Sequence, residues 1–236
     1  MNESMLNSLM RLFAIMVNIN RGAMYLLARN FVETYLTQQF SKALSEKYLL
    51  IFDQYASEME LVGSDQKEKK LSAWSVKILG ICNQIVDELH ISQRFMILIS
   101  LIRFTKYFSD AGMSGTGFSG TISDSVRTVA TGLLITDEEF ENCSAFIKDK
   151  FYQVPGKEHL LIVSDDPDFM DGDIKHIQKN GLPGQIIFFT IQRADIYMFQ
   201  YIGKAKLLSN ERYIFPKHVY IFSRGGSIRS EGISPI

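Results

Sequence analysis

The sequence predicts an α+β protein: an all-helical bundle of about seven helices over residues 1–153, followed by a small β-rich module over 157–236. Two observations carry this. Up to about residue 150 the apolar positions recur every three or four residues, the period of a helix with one buried face. After "VPGKEH" the texture becomes short β-branched and aromatic runs separated by turn residues. The boundary is placed near Pro155-Gly156.

The helices are read in order. Leu6, Leu9, Met10, Phe13, Met16 and Val17 form a first stripe. Tyr25, Ala28, Phe31, Val32, Tyr35, Leu36 and Phe40 form a second. Trp74, Val76, Ile78, Leu79, Cys82, Ile85 and Val86 continue the pattern less regularly. Helix starts are expected at Ser45 before "EKYLL", at Ser92 before "QRFMILISL", and at Thr136, where Glu139 completes a capping box. Breaks fall near Gly63-Ser64, His90 and the run "DAGMSGTGFSGTISDS". In the second half, "LLIVSD", "QIIFFTIQ", "DIYMFQYIG", "YIF" and "HVYIFS" read as strands, with a hairpin at "IQRAD".

Bulk properties exclude several function classes. Formal net charge is −1, so no overall field steers the chain toward nucleic acid or an anionic membrane. The longest clean apolar run after the N-terminus, "FMILISLI", is far short of the ~20 residues that span a bilayer. "MLNSLMRLFAIMVNI" carries Arg11 in its middle, unlike a secretion signal. Cys82 and Cys143 form no disulfide framework and are expected as buried helical thiols of a cytoplasmic protein.

Several motifs invite chemistry. "GTGFSG", residues 115–120, matches G-x-G-x-x-G, but a dinucleotide loop needs a preceding strand, and here a helical pattern precedes it. It is read as a bend between helices. "SDDPDFMDGD", residues 164–173, fails the ordered calcium-loop spacing in both frames; a looser cage of Asp165, Asp168, Asp171 and Asp173 is the alternative to an acidic solvated turn. His90, His159, His176 and His218 have no metal-ligand spacing and read as surface or strand-edge residues. "SRGGSIRS", residues 223–230, combines glycines with Arg224 and Arg229; it is a β-turn first and a phosphate loop second. No nucleophile elbow, zinc-protease pair or P-loop occurs, so no catalytic, cofactor-binding or metal residue is assigned.

The helical half resembles the TerB-like family, named for tellurite-resistance proteins. The likeness is carried by "LMRLFAIMVNINRGAMYLLARNFVETYL" and by "QRFMILISLIRFTKYFSDAG…SDSVRTVATGLLITDEEFENCSAFI", a twice-used helix, turn and helix. The resemblance implies a metal held by turn carboxylates. Here Arg21 stands where the family has aspartate, and Ala28 stands near its glutamate. Asp110 and Asp124 match the second turn, with the glycine insertion between them. Metal binding is therefore not carried over, because a dication needs several carboxylates to offset its dehydration. The helices followed by "YIFPKHVYIFSRGGSIRSEGISPI" also resemble the N-terminal region of large bacterial ABC-type ATP-binding proteins, including a forkhead-associated-like run. On that resemblance the chain is a piece of a longer protein, with nucleotide chemistry beyond Ile236.

The expected function is a non-enzymatic regulatory or protein-interaction region. Its partner is another protein or the missing ATPase domain, with a homodimer also allowed, and with no nucleic acid and no membrane span. Candidate contact groups are Tyr197, Phe199, Tyr201, Tyr213 and Phe215, the first three sharing one strand face, with the set expected to be half core rather than all interface. The rival is a metal or phosphate sensor built on Asp110 and Asp124 or on the "SRGGS" loop.

Overall fold

A computed structural model describes residues 3–18, 24–60, 67–113, 118–230 and 235–236. Among the described residues seven α-helices come first: α1 Glu3–Asn18, α2 Tyr25–Thr37, α3 Lys42–Glu60, α4 Lys67–Glu88, α5 Ile91–Asp110, α6 Phe118–Gly132 and α7 Asp137–Ile147. Eight strands follow: β1 Leu160–Ser164, β2 Lys175–Gln178, β3 Gln185–Ile191, β4 Ile196–Ile202, β5 Leu207–Ser209, β6 Arg212–Ile214, β7 Tyr220–Ile221 and β8 Ile228–Arg229. The order is the α+β layout read from the sequence. Two compact units divide at Phe140 and Glu141, within α7.

In the helical unit α1 is enclosed. Its stripe Leu6, Leu9, Met10, Phe13, Met16 and Val17 is buried, but so are Leu12, Ala14 and Ile15. The expectation of a single narrow buried face is corrected here: α2, α3, α4 and α5 all pack on α1, so burial spreads over most of its circumference and leaves a polar strip of Glu3, Asn7 and Arg11 toward water. Phe13, Phe31 and Phe104 form a knot with ring centroids 4.8 to 5.7 Å apart. Across α2 and α5, the Tyr35 hydroxyl and Ser100 Oγ share a buried hydrogen bond of 3.0 Å.

Helix starts match the sequence reading at one of three places. Thr136 caps α7 as expected: Glu139 N–H donates to Thr136 Oγ1 at 3.2 Å, and Thr136 N–H donates to Glu139 Oε2 at 2.9 Å. Ser45 does not start α3, because its N–H already donates to Ser41 O at 2.9 Å and the helix runs one turn further upstream. At α5 it is His90 that precedes the helix, its N–H held by Gln93 Oε1 at 3.1 Å, while Ser92 lies inside. The break at Gly63-Ser64 lies outside the described residues, as do Gly115 to Gly117; Phe118 to Gly120 already belong to α6.

The second unit holds two sheets. The larger has the order β2-β1-β3-β4-β7, with β1–β2 parallel and the other pairs antiparallel. The smaller has the order β6-β5-β8. Val163, Ile186, Phe199 and Tyr201 of the larger sheet pack against Leu207, Ile214 and Ile228 of the smaller. The opposite face of the larger sheet carries buried Leu160, Ile162, Ile187, Phe189 and Met198. Phe146 of α7 stacks on Phe189 at 5.1 Å, and the fully buried Gln200 donates from Nε2 to Phe146 O at 2.9 Å.

The "IQRAD" hairpin forms as read, with Asp195 at φ 53 completing the turn between β3 and β4. Asn210 at φ 49 and Glu211 at φ 64 make the two-residue β5–β6 turn, a type I′ geometry that favours Asn and then Gly. Three strands, β2, β5 and β8, were not among the strand-like runs of the sequence. They are two to four residues long, and β2 is mostly exposed, so no apolar alternation marks them.

Candidate functional site

The smaller sheet positions the most distinctive surface. Leu208 of β5 stands opposite Tyr213 of β6 on one side and Arg229 of β8 on the other. Leu207, Ile214 and Ile228 point inward to the core. Successive side chains alternate between faces, so Leu208, Tyr213 and Arg229 form a row across the outer face. Exposed Lys206 immediately precedes β5 and exposed Phe215 immediately follows β6. The result is aromatic and aliphatic surface edged by an ammonium and a guanidinium.

Phe215 is held in place. Its N–H donates to the Tyr220 hydroxyl at 2.8 Å, and the Tyr220 ring stacks on core Phe199 at 5.3 Å. The His218 ring lies 5.8 Å from Phe215. Tyr213 and Phe215 are each 62% exposed. Two large aromatic side chains are thus presented to water on a strand and turn anchored to the core.

The five aromatics offered by the sequence separate. Tyr213 and Phe215 lie on the surface just described. Phe199 and Tyr201 are buried in the core between the sheets, so the set is part core and part surface. Tyr197, Phe199 and Tyr201 do share one face of β4, but that face turns inward at its middle. Only Tyr197, at the strand's start, is partly exposed.

The remaining candidates are placed as follows. Asp110 ends α5, Asp124 lies in α6, and both are exposed; Ala28 is buried in α2, and Arg21 lies outside the described residues. In the acidic loop the aspartates serve separate local partners. Asp165 Oδ2 accepts from Gly181 N–H at 2.9 Å, Asp166 Oδ1 from Asp168 N–H at 2.9 Å, and Asp171 Oδ2 from Lys157 Nζ at 3.0 Å. Among the described residues no group of three or more His, Cys, Asp or Glu side chains gathers as a metal cage would. "SRGGSIRS" is a turn, with Gly226 N–H on Ser223 O at 2.9 Å and Gly225 at φ 74, running into β8. Its Arg224 donates to Asp195 at 2.7 Å, and that carboxylate raises the guanidinium pKa further.

Sequence spacing missed one pairing: Ser164 Oγ lies 2.9 Å from His176 Nε2. A nucleophile and base at this distance are the start of a catalytic pair. Here the hydroxyl also accepts from Asp166 N–H at 3.3 Å, and Phe169 stacks flat on the imidazole at 4.5 Å. This makes the pair the tie of the loop to β1 and β2. The pair is set by the parallel β1–β2 register, which places His176 beside Ile162 and which no apolar alternation in β2 announces. Both cysteines are buried helical thiols, and burial pushes the Cys82 thiol up to about 12.

Among the described residues no helix is long and apolar enough to cross a membrane. No family model, curated protein or solved structure matches this chain.

Proposed function

We propose that the chain is a non-enzymatic protein-interaction region of a bacterial cytoplasmic protein, the N-terminal part of a larger ABC-type ATP-binding protein with a TerB-like helical domain. It docks its partner through the outer face of the smaller sheet. The supporting observation is the exposure of Tyr213 and Phe215, with Leu208 and Arg229 in one row with Tyr213 and Lys206 next along the chain from β5. Aromatic side chains lose little conformational entropy on binding and desolvate a large area, which is why they dominate interface energetics. Leaving them in water gives the free chain nothing in core stability. The TerB-like and ABC-type parts of the reading rest on the sequence resemblance.

The test compares the tagged 236-residue chain with its Tyr213→Ser/Phe215→Ser variant in affinity purification from a bacterial cell. The expected result is a co-purifying polypeptide bearing a P-loop, present with the parent and lost from the variant, at unchanged melting temperature. Identical co-purifying proteins from both chains would overturn the reading.

A further inference from the structure

We infer that the outer face of the smaller sheet receives the acidic loop 165–173 of a second copy of this chain. The inference rests on the docking role just proposed for that face. Charge is the first argument. From residue 203 to 230 the basic residues are Lys204, Lys206, Arg212, Lys217, Arg229 and Arg224, the last already paired with Asp195, and the acidic one is Glu211. The loop has the opposite balance, with Asp165, Asp166, Asp168, Asp171 and Asp173 and no basic residue of its own, Lys157 pairing with Asp171 and Asp173 from outside it. Opposed fields of this kind select the partner and its register.

Shape supplies the second argument. Met170 is 91% exposed, the highest value among the exposed large apolar residues described. It follows Phe169, which is fixed on the His176 ring, and it stands between exposed Asp168 and the Lys157-bound Asp171. An apolar thioether flanked by carboxylates complements an aromatic patch flanked by cations, and sulfur against aromatic rings is a favourable contact. The loop is already shaped by its own hydrogen bonds, so little ordering entropy opposes docking. The same ties, to Gly181 and Lys157, hold it on the β1–β2 side of its own chain, and the occupant assigned to the face is the loop of another copy. Reciprocal exchange of loops closes a two-fold dimer.

Sedimentation of the full chain at about 20 mM and about 500 mM salt, where surface charges are respectively felt and screened, tests this. The weight-average mass is expected to rise above 26.9 kDa with concentration at low salt and to return to it at high salt. Lys206→Glu/Arg229→Glu sets an acidic loop against an acidic face. Asp166→Lys/Asp168→Lys sets a basic loop against a basic face. Each variant alone is expected to stay monomeric, and an equal mixture to regain association, because each then supplies the other's complement. The mixture also guards against variants that fail to fold. A monomeric parent at every concentration, association untouched by the reversals, or a mixture that stays monomeric would overturn the inference. A monomeric parent whose Tyr213→Ser/Phe215→Ser variant still loses a P-loop partner would remove this inference and leave the docking role standing.

Discussion

Tyr201 separates the two roles an aromatic can take in this module. It is fully buried, donating from its hydroxyl to Pro183 O at 2.5 Å and accepting from Ala205 N–H at 2.9 Å. Gly203 makes room for that hydroxyl, since a Cβ there would fall 2.2 Å from it. Tyr201→Phe keeps the ring and deletes both hydrogen bonds without opening a cavity. Each bond contributes about 0.5–1.5 kcal/mol net, and stranding a fully buried partner costs more. Pro183 is exposed and Ala205 half-buried, so water recovers part of the loss. The expected cost is about 1–2 kcal/mol, a melting shift of about 3–6 °C for a chain of this size. Tyr213→Phe, on the exposed outer face, is expected within about 0.5 kcal/mol of the parent. Urea unfolding followed by far-ultraviolet circular dichroism measures both. A Tyr201→Phe cost under about 0.5 kcal/mol, or an equal cost at Tyr213, would refute the division into core and surface aromatics.

Other expectations follow from single positions and are read by thermal or urea unfolding unless stated. Gly80 sits in α4 with nothing near an added Cβ, so Gly80→Ala gains about 0.5–1 kcal/mol of helix propensity. Gly132→Ala sets its Cβ 2.8 Å from Cys82 Cβ, forces α4 and α6 apart, and costs about 1–3 kcal/mol. Glu211→Gly relieves a left-handed residue in the β5–β6 turn and stabilises by about 0.5–1 kcal/mol. Thr136→Ala removes the α7 cap and costs about 1 kcal/mol. Burial raises the Cys82 thiol to about 12. Its stabilising contribution is therefore intact below the unfolded thiol value of about 8.5 and is lost as pH climbs toward the folded value. A disulfide reagent at about pH 8 should find both thiols silent in the native chain and reactive after urea, because both are buried until the chain unfolds.

What the sequence reveals of this fold follows from which signals are local. Thr136 and Glu139 satisfy each other across three residues, so their cap is readable without tertiary knowledge. The stripe on α1 is equally local, but Leu12, Ala14 and Ile15 lie off it, and only the helices packed around α1 explain their burial. β2 escapes notice because an edge strand of Lys175, His176, Ile177 and Gln178 buries almost nothing of its own. At the candidate surface, period-two alternation rightly groups Tyr197, Phe199 and Tyr201, yet which way that face turns depends on the smaller sheet lying over it. Tyr213 and Phe215 remain outside because β6 covers the core with Ile214 alone. The row Leu208, Tyr213 and Arg229 joins residues some twenty positions apart through strand register, which composition does not encode.

A photo-reactive amino acid placed in turn at Leu208, Phe215, Leu26, Leu50 and Ile177, all wholly or partly exposed apolar positions, tests most directly where this chain meets its partners. Irradiated in a bacterial cell, the chain should yield protein adducts from positions 208 and 215, with little from the other three. Adducts from Leu26 and Leu50, with none from the outer face of the smaller sheet, would contradict the account.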